Sequence, residues 1–206
     1  MFTGIIEEVG QLQNMRKIGE KMRVVISAQH ILSDLKLGDS VAVNGVCLTA
    51  SKITIKYFEA DIMPETYRHT TFKHLTVQQP VNLERAMQLN DRFGGHIVSG
   101  HVDDIGKIIK IKKDAQQILL TIRVTSNIAQ QLIVKGSITI DGISLTIFYV
   151  TTTTCTVSII PHTFAQTILH AKKMGDEVNI EVDYVSKSIR QKSVVIDEEF
   201  LRKNGF

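Results

Sequence analysis

Cysteine is scarce in this chain: Cys47 and Cys155 are alone among 206 residues. A secreted disulfide framework needs several cysteines at regular spacing, so two free thiols in a reducing, cytoplasmic setting are expected. Tryptophan is absent, aromatic residues make up 6% and proline occurs three times. So few aromatics, none of them repeated beside Lys or Arg, argue against a platform that stacks single-stranded bases. The net charge of +3 is small and evenly spread, so no nucleic-acid partner is expected. No apolar run approaches the roughly 18 residues of a membrane span. The opening Met1-Phe2-Thr3-Gly4 lacks a basic region followed by an apolar stretch, so neither a membrane partner nor a signal peptide is expected. There is no Gly-rich phosphate loop, no dinucleotide fingerprint and no serine nucleophile elbow, which argues against a nucleotide hydrolase or a Rossmann dehydrogenase.

What the chain has instead is a copy of itself. Ser40-Val41-Ala42-Val43-Asn44-Gly45-Val46-Cys47-Leu48-Thr49 returns 97 positions later as Ser137-Ile138-Thr139-Ile140-Asp141-Gly142-Ile143-Ser144-Leu145-Thr146. The same shift carries Ile62-Met63-Pro64-Glu65-Thr66 onto Ile159-Ile160-Pro161-His162-Thr163, and Val81-Asn82-Leu83-Glu84 onto Val178-Asn179-Ile180-Glu181. Near the two starts, Phe2-Thr3-Gly4-Ile5-Ile6 matches Val98-Ser99-Gly100-His101-Val102 at a shift of 96. Such a period far exceeds the roughly 20 to 50 residues of a solenoid unit and reads as a duplicated domain. Two related pockets suit a reaction that brings two similar molecules side by side.

Short β-branched runs dominate both halves, among them Val24-Val25-Ile26, Ile53-Thr54-Ile55, Leu119-Leu120-Thr121-Ile122 and Ile138-Thr139-Ile140. Broken by Gly, Asn, Asp and Lys, they predict about six strands per half, at the spacing of a small barrel or sandwich. Asn44-Gly45 and Asp141-Gly142 are the strongest hairpin signals, because both residues of each pair tolerate positive φ. Short helices are expected at residues 29–35 and 126–132. The tail from residue 187 has no counterpart in the first half. Within it Asp197 can cap a helix, acids fill the first turn, bases the last, and Gly205 can end it. Such a helix serves either subunit contact or packing on its own domain.

Candidate chemistry gathers at equivalent places. Cys47 and Ser144 follow the two hairpin turns, each ahead of Leu and Thr, where strand alternation aims side chains at a barrel mouth. The ordinary role of a lone cysteine is that of a small buried hydrophobe, and Asn44 and Asp141 have an ordinary role as turn residues. Gly94-Gly95-His96-Ile97-Val98-Ser99-Gly100-His101 spans the junction, and its histidines suit proton transfer near neutral pH. A metal site is not expected, since no Cys or clustered carboxylate lies beside them. Glu65-Thr66 and His162-Thr163 follow the repeated prolines and offer polar groups to an acceptor-rich ring or a hydroxylated chain. Lys135 and Asp183 break the repeat, which pairs them with Gly38 and Ala86. Broken symmetry fits a division of labour between the copies, although simple solvation is the common fate of a surface charge.

Taken in order, Met1-Phe2-Thr3-Gly4-Ile5-Ile6-Glu7, the Asn44 to Thr49 block, Gly94 through His101, Asp141 through Thr146 and Ile160-Pro161-His162-Thr163 resemble the riboflavin synthase alpha-chain family. The resemblance runs from Met1 to the tail. Asp104 departs from the Gly that many members have after His-Val-Asp, and Val46 from a Cys found in some, which bears on local loop shape. The resemblance implies an all-β chain of two tandem six-stranded Greek-key barrels, residues 1–96 and 97–186, followed by a C-terminal trimerisation helix at 187–206. It also implies a cytoplasmic transferase that works without a cofactor. Two molecules of 6,7-dimethyl-8-ribityllumazine become riboflavin and 5-amino-6-(D-ribitylamino)uracil, at a site between subunits of a homotrimer, and association with lumazine synthase is a further partner it suggests.

Residue by residue, the resemblance assigns Ser40 and Cys47 to the first pocket with Thr49 beside them, and His101 to proton transfer. Ser144, Thr146 and Asp141 belong to the second pocket, with Asp183 near it. Phe2 packs near the bound ring. Lumazine contacts come from Gly4, Ile5 and Ile6; Cys47, Leu48 and Thr49; Asp61, Ile62, Met63, Pro64, Glu65 and Thr66; and Gly100, His101 and Val102. In the second copy they come from Ser144, Leu145 and Thr146 and from Ser158, Ile159, Ile160, Pro161, His162 and Thr163, with Lys135 arriving from a neighbouring chain. The family also has non-catalytic relatives that hold lumazine or a flavin as a luminescence antenna. They lack much of the Cys and His set that Cys47, His96 and His101 preserve here.

Overall fold

The computed structural model describes residues 1–191 and residue 202. The first half forms β1 (Glu8–Ile18), β2 (Lys21–Ser27), β3 (Ser40–Val43), β4 (Val46–Ile53), β5 (Tyr57–Ile62) and β6 (Pro80–Arg85). The second forms β7 (Asp104–Lys113), β8 (Ile118–Arg123), β9 (Ser137–Ile140), β10 (Ile143–Val150), β11 (Thr154–Ile159) and β12 (Glu177–Val182). Each set closes on itself as an antiparallel barrel, in the orders β1-β2-β5-β4-β3-β6 and β7-β8-β11-β10-β9-β12. The meander β3-β4-β5, with β6 returning beside β3, is a Greek key. Pairing of β6 with both β1 and β3 shuts the ring and leaves no free edge. The second barrel repeats this with β12 between β7 and β9.

Alternation explains the closure. Val24 and Ile26 of β2 point inward, as do Ile118, Leu120 and Ile122 of β8, while their neighbours face outward or lie half-buried. Each barrel thereby encloses its own apolar core, around Leu12, Phe58 and Leu83 in one and Ile108, Val157 and Ile180 in the other. The register slips that bend the strands are duplicated too: Leu12/Asn14 recurs as Ile108/Lys110, and Ala50/Lys52 as Ile147/Tyr149. Asn44 (φ 48°) and Gly45 (φ 79°) make the expected left-handed hairpin turn, as do Asp141 (φ 46°) and Gly142 (φ 84°).

The helical expectations fare unevenly. Residues 126–131 form a helix, α2 (Ser126–Gln131), capped by the Thr125 hydroxyl, which accepts from the Ile128 N–H. Its counterpart shrinks to a single 3-10 turn, Ile31–Ser33. Ala28 stands where Thr125 would cap, and the Glu8 carboxylate takes the Gln29 and Ile31 N–H groups from outside the segment. Two further helices lie beyond the sequence expectation: α1 (Pro64–His69) and α3 (Pro161–Ala165), each led by its proline and followed by a 3-10 turn. The last described element, α4 (Tyr184–Gln191), begins where the Asp183 carboxylate accepts the Val185 N–H. Of the capped helix expected at 197–205, all but residue 202 lies outside the described residues. Among the described residues, no helix is long and apolar enough to cross a membrane.

The barrels join through residues that are each other's repeat counterparts, so the joint has an approximate twofold axis. Phe2 and Val98 exchange two backbone hydrogen bonds of 2.8 and 3.0 Å. The hairpin tips meet so closely that a Cβ on Gly45 would stand 2.7 Å from the Gly142 nitrogen. Asn82 and Asn179 stitch the interior. Asn82 Nδ2 donates to the Asp141 carbonyl (2.9 Å) while its Oδ1 accepts the Ile168 N–H (2.9 Å). Asn179 Nδ2 donates to the Asn44 carbonyl (2.8 Å) and its Oδ1 accepts the Thr71 N–H (2.8 Å). Both amides are fully buried, so each removed partner leaves a backbone group unsatisfied. Asn179→Ala is expected to destabilise the chain by about 2 to 4 kcal/mol, read as a lower urea midpoint in equilibrium unfolding.

Candidate functional site

Two straps cross between the barrels and bring the repeat-equivalent candidate residues together. The segment ahead of β1 runs to the second barrel, where the Gly4 carbonyl accepts the Ser144 N–H at 2.7 Å. The segment ahead of β7 runs to the first, where the Gly100 carbonyl accepts the Cys47 N–H at 2.9 Å. Ile6 then packs against the core of the second barrel and Val102 against that of the first. A strap lies this close only with glycine. A Cβ on Gly4 would meet Ser144 Cβ at 2.7 Å, one on Gly100 would meet Cys47 Cβ at 2.6 Å, and both glycines have φ near +80°.

In the first barrel this arrangement borders an open cleft of about 340 Å³ lined by Cys47, Glu65, Thr66, Gly100, His101 and Val102, together with Val46, His69, Thr70 and Asp103. The first six of these are among the substrate contacts that the family resemblance implies. Phe2 is buried beside Cys47 and Gly100. Thr49 is exposed on β4 opposite Ser40, and Ser40 lines a different cleft with Asp39 and Met87. Leu48 and Ile62 point into the barrel core. Met63 and Pro64 open α1, Met63 being exposed.

Asp61 is held by its own strand neighbours. Arg23 donates through Nε at 2.7 Å and Nη2 at 3.1 Å, and Lys21 adds an ion pair. The Arg23 bond, supported by Lys21, lowers the Asp61 pKa to about 2. The ionised form is thus favoured in the fold, so its stabilisation is present above pH ~4 and is lost as pH falls through about 2. Asp61→Asn is expected to cost about 1 kcal/mol at neutral pH, with the difference in urea midpoint vanishing in acid, since partial exposure weakens the pair.

The second copy differs in its polar wiring. Ser144 Oγ lies 2.7 Å from His96 Nδ1, and His96 Nε2 lies 3.1 Å from Thr139 Oγ1. Burial pushes the His96 pKa below its ordinary value, with Asp183 opposing, so the ring is neutral at pH 7. A neutral imidazole between two hydroxyls can accept a proton through Ser144 and pass one on through Thr139. The first barrel has Cys47 and Ala42 at those positions, and its histidine, His101, stands exposed on the strap. Ile5, at the place of His101, is exposed and lines a cleft of about 330 Å³ with Thr3, Glu84 and Arg92.

Leu145 and Ile159 belong to the second core, Thr146 is exposed and Ser158 is half-buried, bonded to Gln117 at 2.9 Å. Ile160 and Pro161 open α3, with His162 exposed and Thr163 half-buried. Asp141 sits apart from these, fully buried in the joint between barrels. Its Oδ1 accepts the Asn179 N–H (2.8 Å), Lys172 Nζ stands 3.3 Å from Oδ2, and burial raises its pKa against the pull of Lys172. Lys135 is exposed at φ 67°, in the left-handed conformation that Gly38 holds in the first copy. Asp104 bonds the Thr125 hydroxyl at 2.8 Å and thus tethers the α2 cap.

Sequence reasoning gives Glu84, Glu181, Ser99 and Thr139 no role, although the first two lie in the repeated Val-Asn-Leu/Ile-Glu block. Among the described residues, no three His, Cys, Asp or Glu side chains converge to hold a metal. The two thiols are unequal: Cys47 is half-buried beside the cleft, whereas burial pushes Cys155 up to about 12. Iodoacetamide at pH 8 is therefore expected to label Cys47 alone in the folded chain, read by peptide mass mapping.

Comparison with known proteins bears directly on these pockets. The family model for the lumazine binding domain matches twice, at residues 3–86 and 99–183, once per barrel. Riboflavin synthase from Bacillus subtilis (strain 168) is 45% identical over an alignment of 215 positions that covers all of both chains. The chain belongs to the riboflavin synthase family. Riboflavin synthase from Actinobacillus pleuropneumoniae is 49% identical over 93% of this chain and 89% of its own. Among solved structures, LumP complexed with riboflavin superposes with a TM-score of 0.82 at 23% identity, covering 88% of this chain and 99% of that one. That last likeness is one of fold.

Proposed function

We propose that the chain is a riboflavin synthase. Two molecules of 6,7-dimethyl-8-ribityllumazine exchange a four-carbon unit and leave as riboflavin and 5-amino-6-(D-ribitylamino)uracil. The four carbons one molecule loses are those the other gains, so the reaction needs no oxidant or reductant. The observation that carries this reading is the crossed pair of straps, each laid against the hairpin strand of the opposite barrel, at Cys47 in one and Ser144 in the other. Full-length similarity to the riboflavin synthases of B. subtilis and A. pleuropneumoniae supports it.

The chemistry asks for two rings held in fixed relation, one losing a proton from its 7-methyl group and the other accepting the resulting carbanion. Holding both removes several kcal/mol of entropic barrier. Cys47 and His101 serve the first ring, with Glu65, Thr66 and Val102 about it. Ser144 and Thr146 serve the second, with Asp183 acting on it through His96. In this reading a neighbouring copy brings the second ring opposite the first and supplies Lys135. A homotrimer with its site between subunits and the segment 187–206 as the assembly helix belongs to the same reading, with functional units at 1–96 and 97–186. Exposed Phe148, Tyr149 and Val185 are apolar surface suited to such contacts. A cytoplasmic setting fits the reduced thiols, and lumazine synthase, as the source of the substrate, is a natural associate.

The test is incubation of the purified chain with 6,7-dimethyl-8-ribityllumazine alone. Riboflavin and the pyrimidine product are expected in equal amounts, with turnover falling roughly 10²-fold in Cys47→Ser and His101→Gln. Tight lumazine fluorescence without riboflavin would make the chain a binding protein like the antenna relatives. Full rates in both variants would overturn the residue assignments while leaving the reaction.

A further inference from the structure

The straps that cross to Cys47 and Ser144 are themselves held by buried carboxylates. Glu84, on β6, takes the Thr3 N–H at 2.7 Å and the Thr3 hydroxyl at 2.8 Å on Oε1, and the Gly4 N–H at 3.0 Å on Oε2. Glu181, on β12, does the same for the other strap: the Ser99 N–H at 2.6 Å and hydroxyl at 2.7 Å on Oε1, and the Gly100 N–H at 3.0 Å on Oε2. Both carboxylates are almost wholly buried, and bonds from two successive backbone N–H groups and a hydroxyl are what makes a buried carboxylate tolerable. These contacts sit where the straps cross, because Gly4 and Gly100 bond the Ser144 and Cys47 N–H groups of the opposite barrel through their own carbonyls. The Ser99 hydroxyl also accepts the His101 N–H at 3.2 Å, so the clamp reaches the side chain that stands in the first cleft.

We propose that Glu84 and Glu181 are reciprocal positioning residues, each fixing its own barrel's leading strap over the opposite barrel's ligand pocket. Glu181 therefore governs the pocket around Cys47, although it belongs to the second barrel, and Glu84 governs the pocket around Ser144, although it belongs to the first. Each carboxylate is committed to its strap. Replacing one by glutamine sets an amide N–H against backbone donors and releases the strap, while the barrel core behind it is unchanged.

This rests on the reading of the two pockets as lumazine and flavin sites, and riboflavin is the probe. Stoichiometry comes from quenching of riboflavin fluorescence, and occupancy of the first pocket from protection of Cys47 against iodoacetamide. The full chain is expected to bind two riboflavins with Cys47 protected. Glu181→Gln is expected to bind one, with affinity for the first pocket down at least about 10-fold and Cys47 alkylated as fast with riboflavin as without. Glu84→Gln is expected to bind one with Cys47 still protected. Damage confined to the mutated residue's own barrel gives the opposite pattern, Cys47 protected in Glu181→Gln and unprotected in Glu84→Gln, and overturns the proposal, as does protection and full stoichiometry in both. If either glutamine variant fails to fold, Ser99→Ala and Thr3→Val, which each delete one hydroxyl bond to the clamp, must show the same crossed pattern in weaker form or the proposal falls. A full chain that binds no riboflavin overturns the lumazine reading itself, an outcome distinct from an uncrossed pattern.

Discussion

The structure depends on a constraint at the joint between barrels: backbone donors and acceptors from both halves are buried there and must be satisfied across the divide. Hairpin tips, straps and the two asparagines meet there, with both asparagine side chains fully buried. Each barrel closes its own hydrogen-bond ladder, so nothing in the sheets obliges the halves to associate. Asn82 and Asn179 create that obligation. Each commits one end of its amide to the opposite hairpin's carbonyl and the other to the 3-10 turn of the opposite half. Because the partners are repeat equivalents, every bond occurs twice, and removing one side chain strands two buried groups.

The joint also explains why the pockets need both halves. A barrel mouth alone presents the hairpin strand that carries Cys47 or Ser144. The wall facing it is a strap that begins in the other half, and only the twofold arrangement brings each strap to the right hairpin. Gly4 and Gly100 supply the left-handed turn and the close approach there, and no larger residue fits. Exchange of leading segments thus walls the hairpin strand of each barrel with a strap from the other, with like geometry and unlike chemistry.

Much of this is legible in the amino-acid sequence. Strand number and the Asn-Gly and Asp-Gly turns follow from alternation, positive-φ residues and the repeat, because local pattern determines them; the grouping of Cys47, Thr66, Gly100 and His101 is legible only through the family resemblance. The two proline-led helices, α1 and α3, escape that pattern although Pro64 and Pro161 stand at the first helical position. Each is little more than one turn long, too short for apolar periodicity to show, and the proline alone marks its start. The helix expected at residues 29–35 reduces to one turn because Ala28 cannot cap it as Thr125 caps its counterpart. The clamps at Glu84 and Glu181 are hidden for a different reason. Their repeated block announces that they matter, but their partners lie about eighty residues away, and only closure of the barrel brings them together. Asp141 shows the same limit, since its turn is legible while its burial in the joint is not.

A symmetric scaffold carrying out a reaction between two identical molecules still has to treat them differently, and the departures from the repeat do so in compensated steps. Asn44 becomes Asp141 in the second copy, which places a carboxyl at a fully buried site. Lys172, where the first copy has Leu75, stands 3.3 Å away to balance it, so the change leaves the twofold joint intact. At the pockets the exchange of Cys47 for Ser144 coincides with that of Ala42 for Thr139, and only the second copy has a buried histidine bridging the two hydroxyls. The thiol side is left with an exposed histidine on the strap and an open cleft, while the hydroxyl side has a neutral imidazole shielded from water. The repeat supplies the geometry, and its few broken positions make the two hairpin strands chemically unlike.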